Sequence, residues 1–550
     1  MPLDDARELS RSGVEILAGR RGHATAKVTG EDGSKVYLHS LYDPIREADV
    51  FLPEKTEQET VVFLGAGLGY HIRLFLGRNP QIRRIVIIEF YPELARASAA
   101  HIDNSCIRVD IVTDSGTGLA SPPRFPVDLD AAELLIVPHT PSLNANPAWY
   151  SRCRTILGIA GTKMSRKVAT CCNRPLTILF LFGSYYCQAE SIRGFEALGH
   201  RVIILDYRER EISLVDRFNE ILRNDSPDLV FSINMRGLDN RGVMAGILSG
   251  VGIPLVLWFV DSPEFILYGE ALPPIDICRV FVWEKSYLPL VQGLGYGVRY
   301  LPLASDPSLV AAAVASNSFK AEISFVGNSL CSGFLNRLSV KFPKSRETML
   351  LAERSIAALL ECRGGQLDLL EKILDSEGGH LSGKDEQLFF RAYVLHSATT
   401  LYRTTLLERL LPLPLTFFGD PDGWSKVFGK GINARPDVNY FFETPSVYAS
   451  SSISFNATSF QMPKTVNQRV FDVPLCGGFL LTDRQEDLLE LFADDEVALY
   501  ESSEDVADKA RYYLANPAIR ASIAARARKR ILNEHTYRHR MGSMLDMVFK

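Results

Sequence analysis

Arg469 and Asp472 stand three residues apart in Asn467-Gln468-Arg469-Val470-Phe471-Asp472, with Gly477-Gly478 and the apolar run Phe479-Leu480-Leu481-Thr482 just beyond. An arginine offers a planar, permanently charged fork for phosphate oxygens, and an aspartate can accept hydrogen bonds from a ribose diol. Paired glycines let a backbone approach a diphosphate closely. If 467–475 is helical, the spacing puts Arg469 and Asp472 on one face, the glycines end the helix, and 479–482 reads as a short buried strand. An ordinary helix, turn and strand with an internal Arg-Asp pair uses the same residues, so the surroundings must decide.

Three strand-and-helix units surround this segment. In the first, Thr60-Val61-Val62-Phe63-Leu64 runs into Gly65, Gly67 and Gly69, a helical pattern with Ile72, Phe75 and Leu76 follows, and Ile85-Val86-Ile87-Ile88 ends in Glu89. Strand, glycine turn, helix and acid-ended strand is the layout for a dinucleotide or S-adenosylmethionine, with Glu89 set for ribose hydroxyls. Any tight strand-to-helix turn also favours such glycines. A methyltransferase centred on Gly65, Gly67, Gly69 and Glu89 is therefore one alternative function, and a non-catalytic docking module is another. The polar, basic stretch 161–174 reads as a linker.

The second unit alternates strands and helices from Leu176 to Trp283, which predicts a doubly wound parallel sheet. Its ligand rim lies at the strand C-termini and holds Gly183, Asn234, Asp261 and Glu284. Asp261 is the best polar candidate there, as base or acceptor ligand, with a helix cap as its alternative task. The third unit opens at Ile323-Ser324-Phe325-Val326, and a helical insertion spans about 334–411, broken at Gly364-Gly365 and Gly378-Gly379. Gly327, Gly419 and Asn456 fall at strand ends beside the 469–478 segment and should converge on one crevice. The expected fold class is α/β, with three Rossmann-like units.

Arg469-Val470-Phe471-Asp472, Cys476-Gly477-Gly478 and Glu534-His535-Thr536-Tyr537 with Arg540, in that order, resemble the CgeB-like spore-maturation glycosyltransferases over roughly 175–550. Arg299 to Asp306 resembles that family's crossover between lobes. The resemblance implies a GT-B fold, with an acceptor lobe over 175–306 and a nucleotide-sugar donor lobe over 307–550. It implies that Arg469 stabilises the departing diphosphate, that Asp472 holds the ribose, that Gly477, Gly478 and Gly327 admit phosphates, and that Asp261 faces the acceptor. Asp472 stands where the family has Glu, and Lys464 stands where many retaining enzymes carry another Glu, which leaves the stereochemistry open. Residues 20–165, with Leu38 to Pro44 and the glycine turn, resemble the motility-associated factor proteins of flagellin glycosylation. That likeness implies a protein acceptor such as flagellin, a surface glycan being the alternative.

Composition narrows the partners. A net charge of -5 without a long basic block argues against nucleic acid. Nine scattered cysteines, including Cys171-Cys172 without a matching second pair, fit a reducing cytoplasm better than a zinc site. His535 and His539 have metal-ligand spacing, yet Tyr537, Arg538 and Arg540 between and beside them read as a packed helix end. No required metal or cofactor is expected beyond the nucleotide-sugar donor substrate, and neither a leader nor a membrane-spanning run is visible.

Overall fold

A computed structural model describes residues 13–549 except 20–22, 32, 51, 53–55, 101, 103–105, 115–124, 127–128, 130–133, 161–173, 210–212, 241, 269, 330–344 and 382. The expected linker at 161–173 and the start of the helical insertion lie outside the described residues. Runs of Val, Ile, Leu and Phe form three parallel sheets, and strands buried on both faces need such continuous apolar runs. The first sheet holds β4 (Thr60–Leu64), β5 (Arg84–Glu89), β6 (Arg108–Thr113) and β7 (Leu134–Pro138) in the order β6-β5-β4-β7. An antiparallel sheet of β1 (Val14–Ala18), β2 (Ala24–Thr29) and β3 (Lys35–Tyr37) accompanies it.

The second sheet comprises β8 (Thr177–Phe182), β9 (Arg201–Asp206), β10 (Leu229–Ile233), β11 (Leu255–Phe259), β12 (Cys278–Val282) and β13 (Val298–Tyr300), ordered β13-β12-β11-β10-β8-β9. The third has β14 (Ala321–Val326), β15 (Leu415–Phe418), β16 (Asn433–Arg435), β17 (Ser451–Phe455), β18 (Leu480–Asp483) and β19 (Ala498–Tyr500), ordered β16-β15-β14-β17-β18-β19. The strand order reverses between β8 and β10 and again between β14 and β17. At such switch points the connections leave on opposite faces and open a crevice at the strand C-termini. The two crevices face each other, which gives the two-lobed GT-B architecture.

Three features hold the lobes together. The helix Tyr537–Phe549 packs on Gln188–Ala197 of the first lobe, so the chain's last element returns across the cleft. The C-terminal stretch forms two helices, Pro517–Glu534 and Tyr537–Phe549, because Thr536 pairs with Ser305 in a bridge that interrupts the run. Buried Glu284, at the end of β12, accepts the backbone amides of Lys464 (3.0 Å) and Thr465 (2.9 Å) from the opposite lobe. The insertion forms helices Arg346–Glu361, Gln366–Glu377 and Lys384–Leu410, separated near the glycine pairs, and its Arg391 reaches Glu264 of the first lobe.

Gly194 marks the tightest helix contact, since a Cβ there would lie 2.9 Å from the backbone C and O of Tyr537. Gly194→Ala should therefore destabilise the protein by about 1–3 kcal/mol through overpacking. Gly158→Ala, on a helix with open space around it, should be neutral or stabilise by up to about 1 kcal/mol. Denaturant midpoints of the two variants check this.

Candidate active site in the cleft between the lobes

A cavity of 360 Å³ opens between the two crevices, lined from the first lobe by Tyr186, Glu190 and Asp261 and from the second by Tyr440, Arg469 and Asp472 among others. Arg469 begins the helix Arg469–Leu475. Its Nε donates to the Val326 carbonyl at 2.9 Å, and its backbone amide donates to Asn467 Oδ1. Asn467 Nδ2 donates to Asn456 Oδ1, and Asn456 Nδ2 to Thr482 Oγ1, both at 2.9 Å. This relay runs from β18 through the end of β17 to the arginine and fixes its root. Among the described residues neither terminal nitrogen of Arg469 has a hydrogen-bond partner, and one lies beside Gly327, where a Cβ would sit 3.2 Å from it. The guanidinium is thus held at its stem and open at its fork, beside the β14–β17 switch point.

A second guanidinium stands nearby. Arg403, on the insertion helix, lies 5.8 Å over the Phe325 ring with its Nε unpartnered. Burial first, and then repulsion from Arg469, lower its pKa to about 10. Sequence spacing holds no signal for Arg403, because only the fold of the insertion brings it here.

Asp472 is 1% exposed and accepts from Ser305 Oγ and Gln468 Nε2 on Oδ1 and from Tyr440 OH on Oδ2. A carboxylate has about four acceptor positions, so one remains. A two-point grip on a ribose diol needs two, and the expected clamp is corrected to at most one hydroxyl. Burial raises the Asp472 pKa to about 6 against its three donors.

Other predicted residues take different tasks. Asn456 is fully buried and positions Asn467 without facing the cavity. Gly419 packs its backbone on Gly327, where any Cβ would overlap the Gly327 carbonyl, so it serves sheet packing. Gly477 and Gly478 precede β18 and lie at the N-terminal edge of the sheet, opposite the crevice; Gly477, at φ +82°, ends the helix. They admit no phosphate from there. Asp261 Oδ2 accepts from Tyr185 OH and from Asn234 Nδ2 (2.8 Å), and its Oδ1 has no donor among the described residues. Ser262, not Asp261, precedes the helix Pro263–Ile266, which removes the capping alternative. His535 gives its nitrogens to the Leu491 carbonyl and Arg540, which corroborates a packed helix end.

The acceptor-side rim carries two features that sequence reasoning missed. Among the described residues, four of the five non-glycine positions with positive φ are Ser184, Cys187, Asn234 and Met235, directly after β8 and β10. Such backbone costs energy and persists where surrounding structure enforces it, commonly at functional sites. Glu190 is the other feature, 3% exposed and facing the cavity. Its pKa is pushed up to about 7, chiefly by burial and also by the Asp472 charge.

The first unit has the expected strand, turn, helix and strand, with Gly65, Gly67 and Gly69 at φ +91°, +49° and +77°. Its loop, however, already holds an anion. Glu89 Oε2 accepts from Ala66 N (2.7 Å), Gly67 N (3.0 Å) and Ser142 Oγ, and Oε1 from Tyr150 OH and Tyr91 N. Five donors on two oxygens leave no ribose grip, so the predicted role of Glu89 is corrected to closing its own loop. His39 Nε2 accepts from Leu68 N, and a Cβ at Gly67 would overlap that ring. His71 and His139 stack at 4.7 Å beside it and fill the remaining space.

Residues 403–546 match the family model described as glycosyl transferase-like. That match covers the sheet edge bearing Arg469 and Asp472. The matched part of the second lobe is thus similar to glycosyltransferase domains. No curated protein matches the chain. Among solved structures, sucrose-phosphate synthase from Thermosynechococcus elongatus is 12% identical with a TM-score of 0.41, covering 68% of this chain and 98% of its own. Anabaena HepE in complex with UDP and glucose is 12% identical with a TM-score of 0.39, covering 68% and 99%. An α-glucosyltransferase in complex with UDP and a 13-mer DNA is 9% identical with a TM-score of 0.42, covering 68% and 100%. Likeness this distant transfers neither donor nor acceptor.

Glu89→Ala should strand loop amides at about 1–3 kcal/mol each and lower the denaturation midpoint. S-adenosylmethionine should leave the wild-type midpoint unchanged, and a rise would restore the methyltransferase alternative. Burial lowers the pKa of His39 to about 3 and of His71 to about 4, from 6.5. Groups depressed on folding contribute stability above pH 6.5 that is lost as pH falls toward 4. Hydrogen exchange should show 60–89 losing protection at pH 5 before 229–259 does.

Proposed function

We propose that this chain is a CgeB-like GT-B transferase that moves a sugar from a nucleotide-sugar donor to a protein or surface-glycan acceptor, in the cytoplasm. The observation that carries the reading is the open fork of Arg469 at the β14–β17 switch point, facing the acid-bearing rim of the other lobe across a 360 Å³ cavity. Cavities of this size suit a sugar with part of its nucleotide. As the glycosidic bond to phosphate breaks, negative charge grows on the diphosphate, and preorganised guanidiniums in a desolvated cleft stabilise it most at that moment. Arg469 supplies that charge at the cavity wall without a divalent ion, with Arg403 buried nearby. Among the described residues no group of three His, Cys, Asp or Glu could hold a metal, and no helix is long and apolar enough to cross a membrane.

Asp472 keeps one acceptor position for a donor hydroxyl while tying the crossover to the donor lobe through Ser305. The first unit, with its loop closed by its own glutamate, suits docking of a protein acceptor such as flagellin.

UDP or a nucleotide sugar at 100 times its dissociation constant should stabilise the protein by about 2.7 kcal/mol. Arg469→Ala should lower turnover by about 2.7–4 kcal/mol in the transition state with a smaller change in KM. Asp472→Ala should raise the donor KM and also cost stability, since it strands Ser305 and Tyr440. Transfer should persist in chelator. If no nucleotide stabilises the protein and both variants match wild type, the reading fails.

A further inference from the structure

Glu190 is a buried carboxylate whose hydrogen bonding comes from its own backbone amide. It sits in the first turn of the helix Gln188–Ala197, just after β8, at the switch point of the acceptor lobe. It is 3% exposed, lines the cavity, and receives no side-chain hydrogen bond from any described residue. A buried carboxylate so sparsely hydrogen-bonded is costly, and such a group persists where something else requires it. The nearest cation is not available, because Arg193 is paired with Asp306 through Nε and a terminal nitrogen, both at 2.5 Å. From the other elements Glu190 faces Asp472, Asp306, Cys187, Tyr440 and Tyr537, none of which supplies a positive charge. Asp261, the other acid on this rim, already holds Tyr185 and Asn234. The exposed ring of Tyr186, 73% accessible, stands at the same mouth and gives an acceptor an apolar face to rest on.

We infer that Glu190 is the general base of the transfer, taking the proton of the acceptor hydroxyl in a single displacement that inverts the anomeric centre. This rests on the glycosyltransferase reading and adds to it the proton acceptor and the stereochemical course. The acceptor oxygen forms its bond to the anomeric carbon while the bond from that carbon to the diphosphate oxygen breaks. The electron pair leaves with the diphosphate, against Arg469, and the hydroxyl proton passes to Glu190. Base and leaving-group stabiliser stand on opposite lobes, which is the arrangement an in-line displacement needs. Burial and the Asp472 charge hold Glu190 near a pKa of about 7, well matched to a base working close to neutrality.

Hydrolysis of the donor, with water as acceptor, tests this without knowing the natural acceptor. UDP-glucose, UDP-galactose, UDP-N-acetylglucosamine and GDP-mannose all carry an α-linked sugar. Proton NMR of the full-length protein at early times should show the β-anomer of the released sugar before mutarotation. The rate should fall tenfold per pH unit below about 7, and Glu190→Gln should lose about 100-fold or more in rate together with that limb. UDP should stabilise Glu190→Gln as it does wild type. Release of the α-anomer, or a Glu190→Gln variant with wild-type rate and pH profile, overturns the base assignment while leaving the transferase intact. Absence of both nucleotide stabilisation and hydrolysis in wild type would instead overturn the transferase reading beneath it.

Discussion

The buried carboxylate of Asp472 is the point on which the two-lobed arrangement turns. It gathers Ser305 from the crossover, Tyr440 from the donor-lobe loop and Gln468 from its own helix. A charge in this setting is tolerable only with donors in place, so the crossover cannot drift from the donor helix without exposing an unpaired group. Ser305 in turn pairs with Thr536, which redirects the C-terminal chain back onto the first lobe. One carboxylate thereby couples hinge, donor helix and returning helix, and the cavity lies beside it.

Charged groups line the cavity from both lobes. The guanidinium of Arg469 lines it from the second lobe, with Arg403 buried nearby, while Glu190 and Asp261 line it from the first. Arg469 therefore faces Glu190 and Asp261 across one cavity. The low dielectric strengthens each effect, and burial also raises the pKa of Glu190 and Asp472. Stem-fixed and fork-open, Arg469 shows how preorganisation is achieved here: a chain of amides from Thr482 through Asn456 and Asn467 holds the helix start, and the carbonyl of Val326 holds Nε.

The first unit shows the same topology put to another use. Its glycine turn presents backbone amides as a nucleotide loop does, yet Glu89 enters from the neighbouring strand and accepts them. The acid that sequence spacing would assign to ribose acts as an internal ligand, and three stacked or tilted imidazoles from His39, His71 and His139 complete the filling. A strand, glycine turn and acid thus specify a geometry of donors without specifying what accepts from them.

Periodicity and turn chemistry are local, and they sufficed for the strand-rich doubly wound units, the glycine breaks in the insertion and the segment bearing Arg469. The residues at strand ends were equally legible as positions. Their tasks were not, because which edge a turn occupies and which lone pairs are already taken depend on non-local partners: Gly477-Gly478 falls on the wrong edge, Gly419 meets Gly327, and Asp472 meets Ser305 and Tyr440. Arg403 and Glu190 carry no sequence signature at all, being one Arg and one Glu on ordinary helices. By itself, then, the sequence determined the units, their order and the arginine beside the third sheet's crevice. Only the tertiary structure decided which carboxylates stay open, since burial and hydrogen-bond saturation are properties of neighbours brought together from distant parts of the chain.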